Sequence, residues 1–243
     1  RSSSSTAALL TSIHSSPVCG PDVEPIILNS HERATAQIAK TLCGRSTLAA
    51  IHIVAHGQTG QVSFDSGPLS LETVNDHPDE LAAIGRALGE NGTLLLWTCR
   101  TAQGERGHAF VKALEHASGA MVAATTTLLG AQDKGGCWEL DTQIGRRETL
   151  VPLTPAGQMN YGGVMATFNG TNGDDTADAT NGTLIGFTGG TAAELQDATG
   201  DTFNPGGGAD TVVASSGDDT INGFLGADSV DGGAGTDDTL LLT

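Results

Sequence analysis

The sequence predicts an α/β layered domain followed by an all-β roll, and two observations support this. Up to about residue 165, short apolar runs of β-forming residues alternate with segments whose apolar residues recur at helical spacing. From Phe168 onward the composition changes to glycine, aspartate and threonine in a nine-residue register. We therefore expect a flexible polar leader at residues 1–23, the α/β domain at 24–165 and the roll at 166–243.

Two apolar runs, each ending on a reactive side chain, define the centre of the α/β domain. Residues 51–54 lead into His56, and residues 94–97 lead into Cys99. Both runs have the pattern of strands buried on two faces, and residues 78–89 between them have the apolar spacing of a helix. Such crossovers are almost always right-handed, with parallel strands. His56 and Cys99 should therefore lie together at the carboxyl edge of the sheet, where open α/β sheets bind ligands.

The other elements of this domain follow from the same patterns and from turn residues. We expect helices at 6–14, 30–42 and 105–118, strands at 24–28 and 120–125, a hairpin from 62–64 and 69–71, a turn at Asn91-Gly92, and late edge strands at 138–140 and near Leu150.

Charge and hydropathy limit the classes of partner. The formal net charge of −17 makes nucleic acid and anionic membranes poor partners and favours cations. No apolar run reaches the roughly 18 to 20 residues that span a bilayer, so no membrane span is expected. The last basic residue is Arg147, an asymmetry that suggests two parts with different roles. The chain begins at Arg1 without a visible signal peptide, from which we expect a fragment or a processed product.

The cysteines have no spacing typical of a zinc site. For Cys19, Cys43 and Cys137 we expect small, buried or half-buried side chains, because free cysteine is commonly a core residue. A disulfide among these three cannot be deduced from the sequence.

The nine-residue register predicts that the stacked turns of the roll bind calcium. Each unit has a tight turn that requires glycine, followed by a short strand with one inward apolar residue. Stacked turns then present carboxylates and carbonyls, the hard oxygen ligands that Ca²⁺ prefers. The alternative is a disordered acidic linker. The candidate metal residues are Asp175 in a first unit at 170–178, and Gly208, Asp210, Gly217, Asp219, Gly226, Asp228, Gly235 and Asp237 in four units at 205–240.

These units resemble the calcium-binding RTX (haemolysin-type) repeats of secreted bacterial proteins. They depart from that pattern at Thr171, which replaces a glycine, and at Thr239, which stands at the apolar position of the last unit. An insertion at about 186–204 breaks the register and leaves open whether the first unit joins the same stack. The resemblance implies export by type I secretion in an unfolded state, with folding in calcium outside the cell or at its surface.

The α/β region resembles a domain of large bacterial surface proteins that is similar to the caspase–gingipain–clostripain group of cysteine peptidases. The resemblance is carried by 51–57, 97–100, Gly104, 107–110, 123–126 and 135–140. It implies a caspase-like parallel sheet with helices on both faces, with Cys99 as nucleophile and His56 as acid/base. Gly57 would contribute its backbone N–H to an oxyanion hole. Thr98 departs from the pattern, because that group prefers alanine or glycine before the cysteine.

Two functions from different classes remain open at this point. One is a calcium-dependent cysteine endopeptidase in which the Cys99 thiolate attacks a peptide carbonyl and His56 protonates the leaving amine. Its substrate would be a peptide, a protein or its own chain. The other is a non-catalytic, calcium-stabilised surface, adhesin or matrix-assembly protein, with self-assembly possible. A serine hydrolase of the α/β class is poorly supported because the sequence has no GxSxG motif.

Overall fold

The computed structural model describes residues 6–10, 19–20, 23–64, 66–142, 151–161, 164 and 166–242. The predicted late strand near Leu150 lies outside these residues. By its internal contacts the chain divides into an α/β unit, Arg1–Leu129 with Cys137–Asn160, and a roll unit, Gly130–Gly136 with Tyr161–Thr243.

The α/β unit is built on one parallel sheet of five strands. In the sheet these strands lie in the order β2-β1-β3-β7-β8, and all four neighbouring pairs are parallel. A small antiparallel sheet, β4-β5-β6, follows directly on the third strand. The elements are β1 Thr6–Leu10, β2 Val23–Ile27, α1 Ala34–Thr41, β3 Leu48–Val54, β4 His56–Gln58, β5 Gln61–Ser63, β6 Leu69–Ser70, α2 Pro78–Ala87, β7 Leu88–Trp97, α3 Gly104–Ser118, β8 Met121–Ala123 and α4 Pro155–Asn160.

Helices α1, α2 and α3 share one face of this sheet. Their buried residues form a single core with Ile51, Ile53, Leu94 and Leu96. The chain moves through the sheet in one direction from β2 to β8, and right-handed crossovers in one direction put their helices on the same face. The expectation of helices on both faces is therefore wrong for the three longest helices. Only the connection from β1 to β2 runs the other way, and it is described only at residues 19–20.

The first strand corrects the sequence prediction most strongly. Residues 6–10, predicted as part of a flexible leader and of a helix at 6–14, form β1, which pairs with both β2 and β3. The sheet therefore begins well before residue 24. Asn91-Gly92 lies within the bounds of β7 and turns the chain there, as predicted, because the pairing with β3 shifts register between Leu88 and Thr93 and a Cβ on Gly92 would lie 2.8 Å from the Leu88 Cβ. Residues 138–140 form no strand; instead Cys137 makes one isolated parallel bridge to Leu129.

The roll unit consists of two parallel sheets between which the chain alternates. One sheet has the order β16-β14-β12-β9, and the other has the order β11-β10-β13-β15, in which only β11 is antiparallel. The predicted β-roll is thus present. Its elements are β9 Thr167–Asn169, β10 Thr176–Asp178, β11 Thr183–Ile185, α5 Ala192–Leu195, β12 Thr202–Asn204, β13 Thr211–Val213, β14 Thr220–Phe224, β15 Ser229–Asp231 and β16 Thr239–Leu242.

The first unit of the roll joins the same stack despite the insertion. Phe168 pairs with Phe203, and Ala177 pairs with Val212. The insertion leaves the stack after β10 and returns at β12, covering the edges of the first coil on the way. Strand β11 pairs with β10, and Thr188 bridges to Asn169 of β9.

An aromatic core fills the first coils of the roll. The rings of Phe168 and Phe203 stack with centroids 5.1 Å apart, and Phe187 of the insertion meets Phe203 edge-on at 6.4 Å. Leu195 of the short helix α5 is fully buried in the same cluster. Further along, the core narrows to single aliphatic residues such as Val212 and Ile221.

Candidate active site and calcium-binding turns

His56 and Cys99 each lie two residues beyond the end of a central strand. Val54 at the end of β3 pairs with Trp97 at the end of β7, and the Ala55 N–H donates to the Trp97 carbonyl at 3.3 Å. The two residues therefore leave equivalent positions on neighbouring parallel strands, as the sequence predicts. Both side chains are buried, with 4 % of His56 and 1 % of Cys99 exposed.

Gly57 brings the two strand ends into direct contact. A Cβ at this position would lie 2.8 Å from the Thr98 Cβ and 2.8 Å from the Thr101 Oγ1, and 3.2 Å from the Cys99 carbonyl oxygen. Thr98 occupies the space beside the glycine, and its hydroxyl is 2.6 Å from that of Thr101. The threonine that departs from the peptidase pattern is thus part of the packing between the two turns. Gly57 itself lies in the β4–β5 hairpin opposite Val62.

The Cys99 thiol contacts the backbone of Leu129. The Leu129 N–H donates to Sγ at 3.1 Å, and Sγ lies 3.6 Å from the Leu129 carbonyl oxygen. The same contact covers the sulfur, so a substrate would have to displace the segment around Leu129 to reach it.

His52 lies in β3, four residues before His56, and is a buried structural histidine. Its Nδ1 accepts a 2.9 Å hydrogen bond from the Trp97 indole N–H, and the two rings stack. Burial lowers the pKa of His52 to about 4, so the ring is neutral at physiological pH. Trp97 in turn packs against Trp138 on the sheet face opposite the helices, with ring centroids 6.4 Å apart.

All four cysteines are free thiols. Cys19 and Cys137 are half-buried, as expected, and burial raises the pKa of Cys19. Cys43 differs from the expectation because it is exposed just past the end of α1.

Two ladders of aspartates run along the turns of the roll. In each ladder a carboxylate accepts a hydrogen bond from the backbone N–H of the aspartate one coil earlier. The first ladder joins Asp175 to Asp210 at 2.8 Å and Asp210 to Asp228 at 3.0 Å. The second joins Asp201 to Asp219 at 2.6 Å and Asp219 to Asp238 at 2.8 Å.

The second ladder differs from the predicted register at its last member and includes one aspartate that was not predicted. Asp238, not Asp237, occupies the ladder position, because the last coil has 19 residues where the preceding coil has 18. The same shift places Leu240 opposite Ile221, so Thr239 does not stand at the apolar position. Asp201 was missed because its turn lacks the glycines of the repeat, although the triplet Asp201-Thr202-Phe203 carries the aspartate and apolar spacing of a unit.

The predicted glycines differ in how strongly the turns require them. Gly208 has a left-handed φ of +128°, which side chains rarely adopt. A Cβ on Gly217 would overlap the backbone of Thr199 and Gly200, and one on Gly235 would overlap the carbonyl of Gly217. Gly226 has open space around it. Close stacking of turns therefore explains Gly217 and Gly235 but not Gly226.

The ladder carboxylates suit a divalent cation. Asp201 is 1 % exposed, and neither of its carboxylate oxygens has a hydrogen-bond donor among the described residues. Asp210 and Asp219 each have one buried carboxylate oxygen without a donor there. Burial raises the pKa of Asp219 to about 7 and, with neighbouring carboxylates, raises the pKa of Asp201 well above its ordinary value. No three His, Cys, Asp or Glu side chains of the described residues converge on one point, so backbone carbonyls must complete any calcium shell.

Two family models match the chain. Residues 5–165 match the family described as Domain of unknown function (DUF4347), which is well over half of the chain. The chain belongs to this DUF4347 family. Residues 205–238 match the RTX calcium-binding nonapeptide repeat in four copies, so Ca²⁺ is the cofactor of this segment.

The DUF4347 description names no activity, and the similarity to caspase–gingipain–clostripain peptidases stays a prediction. No curated protein and no solved structure is similar enough to the chain to count as a match. Among the described residues, no helix has both the length and the apolar character needed to cross a bilayer.

Proposed function

We propose that this chain is a calcium-stabilised extracellular module whose roll folds when Ca²⁺ binds between its turns. The observation that carries the proposal is the row of buried carboxylate oxygens on Asp201, Asp210 and Asp219 that have no donor among the described residues. Buried charge without a partner opposes folding by several kcal/mol for each group. Calcium supplies the missing positive charge.

The location follows from the calcium affinity of such sites. Extracellular calcium modules bind with dissociation constants of about 10⁻⁴ to 10⁻³ M, so they are empty in the cytosol and filled outside the cell. RTX repeats are typical of proteins exported by type I secretion, which pass through the membrane unfolded. The folded roll then serves as a stiff surface, adhesin or matrix element in the same chain as the DUF4347 domain.

Calcium titration of the purified chain tests this proposal. We expect a cooperative gain of β structure by circular dichroism at millimolar Ca²⁺, and no gain with the same concentration of Mg²⁺. Calcium at 100 times its dissociation constant should stabilise the roll by about 3 kcal/mol for each site. A roll that is fully formed in calcium-free buffer, and whose melting temperature does not respond to calcium, would refute the proposal.

A second candidate function is a cysteine peptidase, and the register of β3 and β7 favours it. His56 and Cys99 follow paired residues on adjacent parallel strands, and Gly57 packs directly against the Cys99 carbonyl. In this mechanism His56 takes the proton of the Cys99 thiol, and the thiolate attacks a peptide carbonyl. His56 protonates the leaving amine, and backbone N–H groups near Gly57 and Cys99 hold the oxyanion.

A thiol-directed acyl-warhead probe distinguishes the two functions. Because Cys43 is an exposed free thiol, labelling is compared in the Cys43→Ala background with and without Cys99→Ala. A peptidase should show labelling or self-cleavage by intact mass in millimolar Ca²⁺ that is lost with Cys99→Ala. A calcium-folded chain that stays uncut and is unlabelled at Cys99 would leave the α/β domain as a non-catalytic head.

A further inference from the structure

The turn at 196–201 lies outside the four matched repeats but stacks as one of them. It ends the insertion, and the Asp201 N–H donates to Asp219 at 2.6 Å, as in the repeat turns. Gly217 of the next turn approaches the backbone of Thr199 and Gly200 so closely that a Cβ would overlap it. When Asp201 is aligned with the repeat aspartate, Asp197 and Thr199 stand where the repeat has its second and fourth residues, both glycine.

Two side chains of this turn are buried carboxylates with unpartnered oxygens. Asp201 is 1 % exposed, and neither of its oxygens has a donor among the described residues. Asp197 is 2 % exposed; its Oδ1 accepts from the Thr199 N–H at 2.9 Å and from the Thr199 hydroxyl. Its Oδ2 has no donor within the described part of the chain.

The surroundings of this pair add negative charge. The carboxylates of Asp219 and Glu194 are close enough to Asp201 to act on it electrostatically. The basic group that acts on Asp197 is Lys134, whose side chain is exposed. A lysine in solvent compensates a buried carboxylate only weakly, because water screens its charge.

We propose that the turn at 196–201 binds its own Ca²⁺ through the carboxylates of Asp197 and Asp201, against the neighbouring turn at 215–219. Calcium takes six to eight oxygen ligands, so backbone carbonyls and water complete the shell. At this position a repeat turn has glycine and can offer calcium only backbone oxygens, whereas Asp197 offers a side-chain carboxylate. The proposal rests on calcium binding by the roll, because the turn at 215–219 belongs to the matched repeats.

Counting bound ions by native mass spectrometry tests the proposal on the full chain. We expect Asp201→Asn and Asp197→Asn each to bind one Ca²⁺ fewer than the wild type at saturating calcium. Asp178→Asn is the matched control: it removes the same charge from the end of β10, where the carboxylate accepts hydrogen bonds from Asn181, and it should bind the wild-type number.

The outcomes separate this proposal from the proposed function. Variants of Asp197 and Asp201 that keep the full number of ions overturn the further site alone. A wild type that binds no calcium overturns the proposed function as well. If Asp201→Asn fails to fold, Asp197→Asn decides, because it leaves the Asp201–Asp219 ladder intact.

Melting temperatures give an independent readout of the same variants. A ligand role predicts that asparagine makes the rise in melting temperature caused by calcium smaller than in the wild type. A rise equal to that of the wild type would show that these side chains are not ligands, and would overturn the proposal.

Discussion

In the α/β domain, several buried polar side chains have hydrogen-bond partners within the protein: Trp97 donates to His52, Thr98 bonds Thr101, and the Leu129 N–H donates to Cys99. In the roll, buried carboxylates such as Asp201 lack them. The two regions also differ in core size, because three helices cover one face of the α/β sheet, whereas most of the roll has one inward residue per strand. A thin core cannot offset unpaired buried charge. The comparison therefore predicts that the first region folds by itself and the second only with a cation.

The two regions should respond to acid in opposite directions, and this is the largest difference that we expect between them. The pKa of Asp219 is about 7 in the calcium-free roll and about 3.8 in an unfolded chain. Since the folded value is higher, the contribution of this group to stability is complete below about pH 4 and is lost as the pH rises through 7. The shift of about three units corresponds to ~4 kcal/mol.

Circular dichroism of the calcium-free protein between pH 8 and pH 4 measures this effect as a gain of β structure in acid. Asp219→Asn should reduce the pH dependence but not remove it, because the pKa of Asp201 is also raised by burial and by neighbouring carboxylates. If acid weakens the calcium-free roll, its buried carboxylates are not the groups that oppose folding.

The α/β domain should respond in the other direction through His52. Its pKa is about 4 in the folded protein and 6.5 when unfolded. Since the folded value is lower, stability is full above pH 6.5 and declines as the pH falls toward 4, by about 3 kcal/mol. His52→Gln keeps an acceptor for Trp97 without a titrating group, so its tryptophan-monitored unfolding should be less sensitive to acid. Equal acid sensitivity of variant and wild type would exclude His52 as the cause.

Packing at the candidate active site should matter whether or not calcium is present. Gly57→Ala forces a Cβ to within 2.8 Å of buried Thr98 and Thr101, an overpacking that costs about 1–3 kcal/mol. Gly89→Ala is the control, because its Cβ would have ordinary contacts of 3.6 Å or more. If calcium restored the stability lost in Gly57→Ala, the stability of the α/β domain would depend on calcium, which contradicts the expectation that this region folds by itself.

The smallest effect tests the register of the last coil. Asp238→Asn should weaken calcium binding about tenfold, or ~1.4 kcal/mol, because it removes a ladder carboxylate. Asp237→Asn should leave the affinity within a factor of two in calorimetric titration. The reverse ranking would show that calcium selects the register predicted from the sequence.

The sequence predicts the parts of the fold that depend on local pattern. Apolar runs located β3 and β7, and the crossover rule placed His56 and Cys99 at one edge of the sheet. Gly119, in a left-handed conformation, ends α3 where predicted. The nine-residue register located the roll, and the family match over 205–238 confirms the repeats.

The failures occur where distant pairing overrides local preference. Residues 6–10 have the composition of a helix, and only their position between β2 and β3 makes them a strand. In the last coil Asp237 and Asp238 are adjacent, and the sequence cannot tell which one continues the ladder until the backbone pairing of Asp219 is known. Asp201 escaped detection because stacking, rather than glycine content, places its turn in the roll.

The insertion gives the roll a direction of growth. Strand β11 runs antiparallel against β10, and Thr188 closes β9, so neither strand of the first coil presents a free edge to another molecule. At the other end, β15 and β16 keep outer edges to which no strand of the described chain pairs, with Leu240 and Leu242 largely exposed. The insertion therefore caps the first coil, and the stack extends from this aromatic base in one direction only.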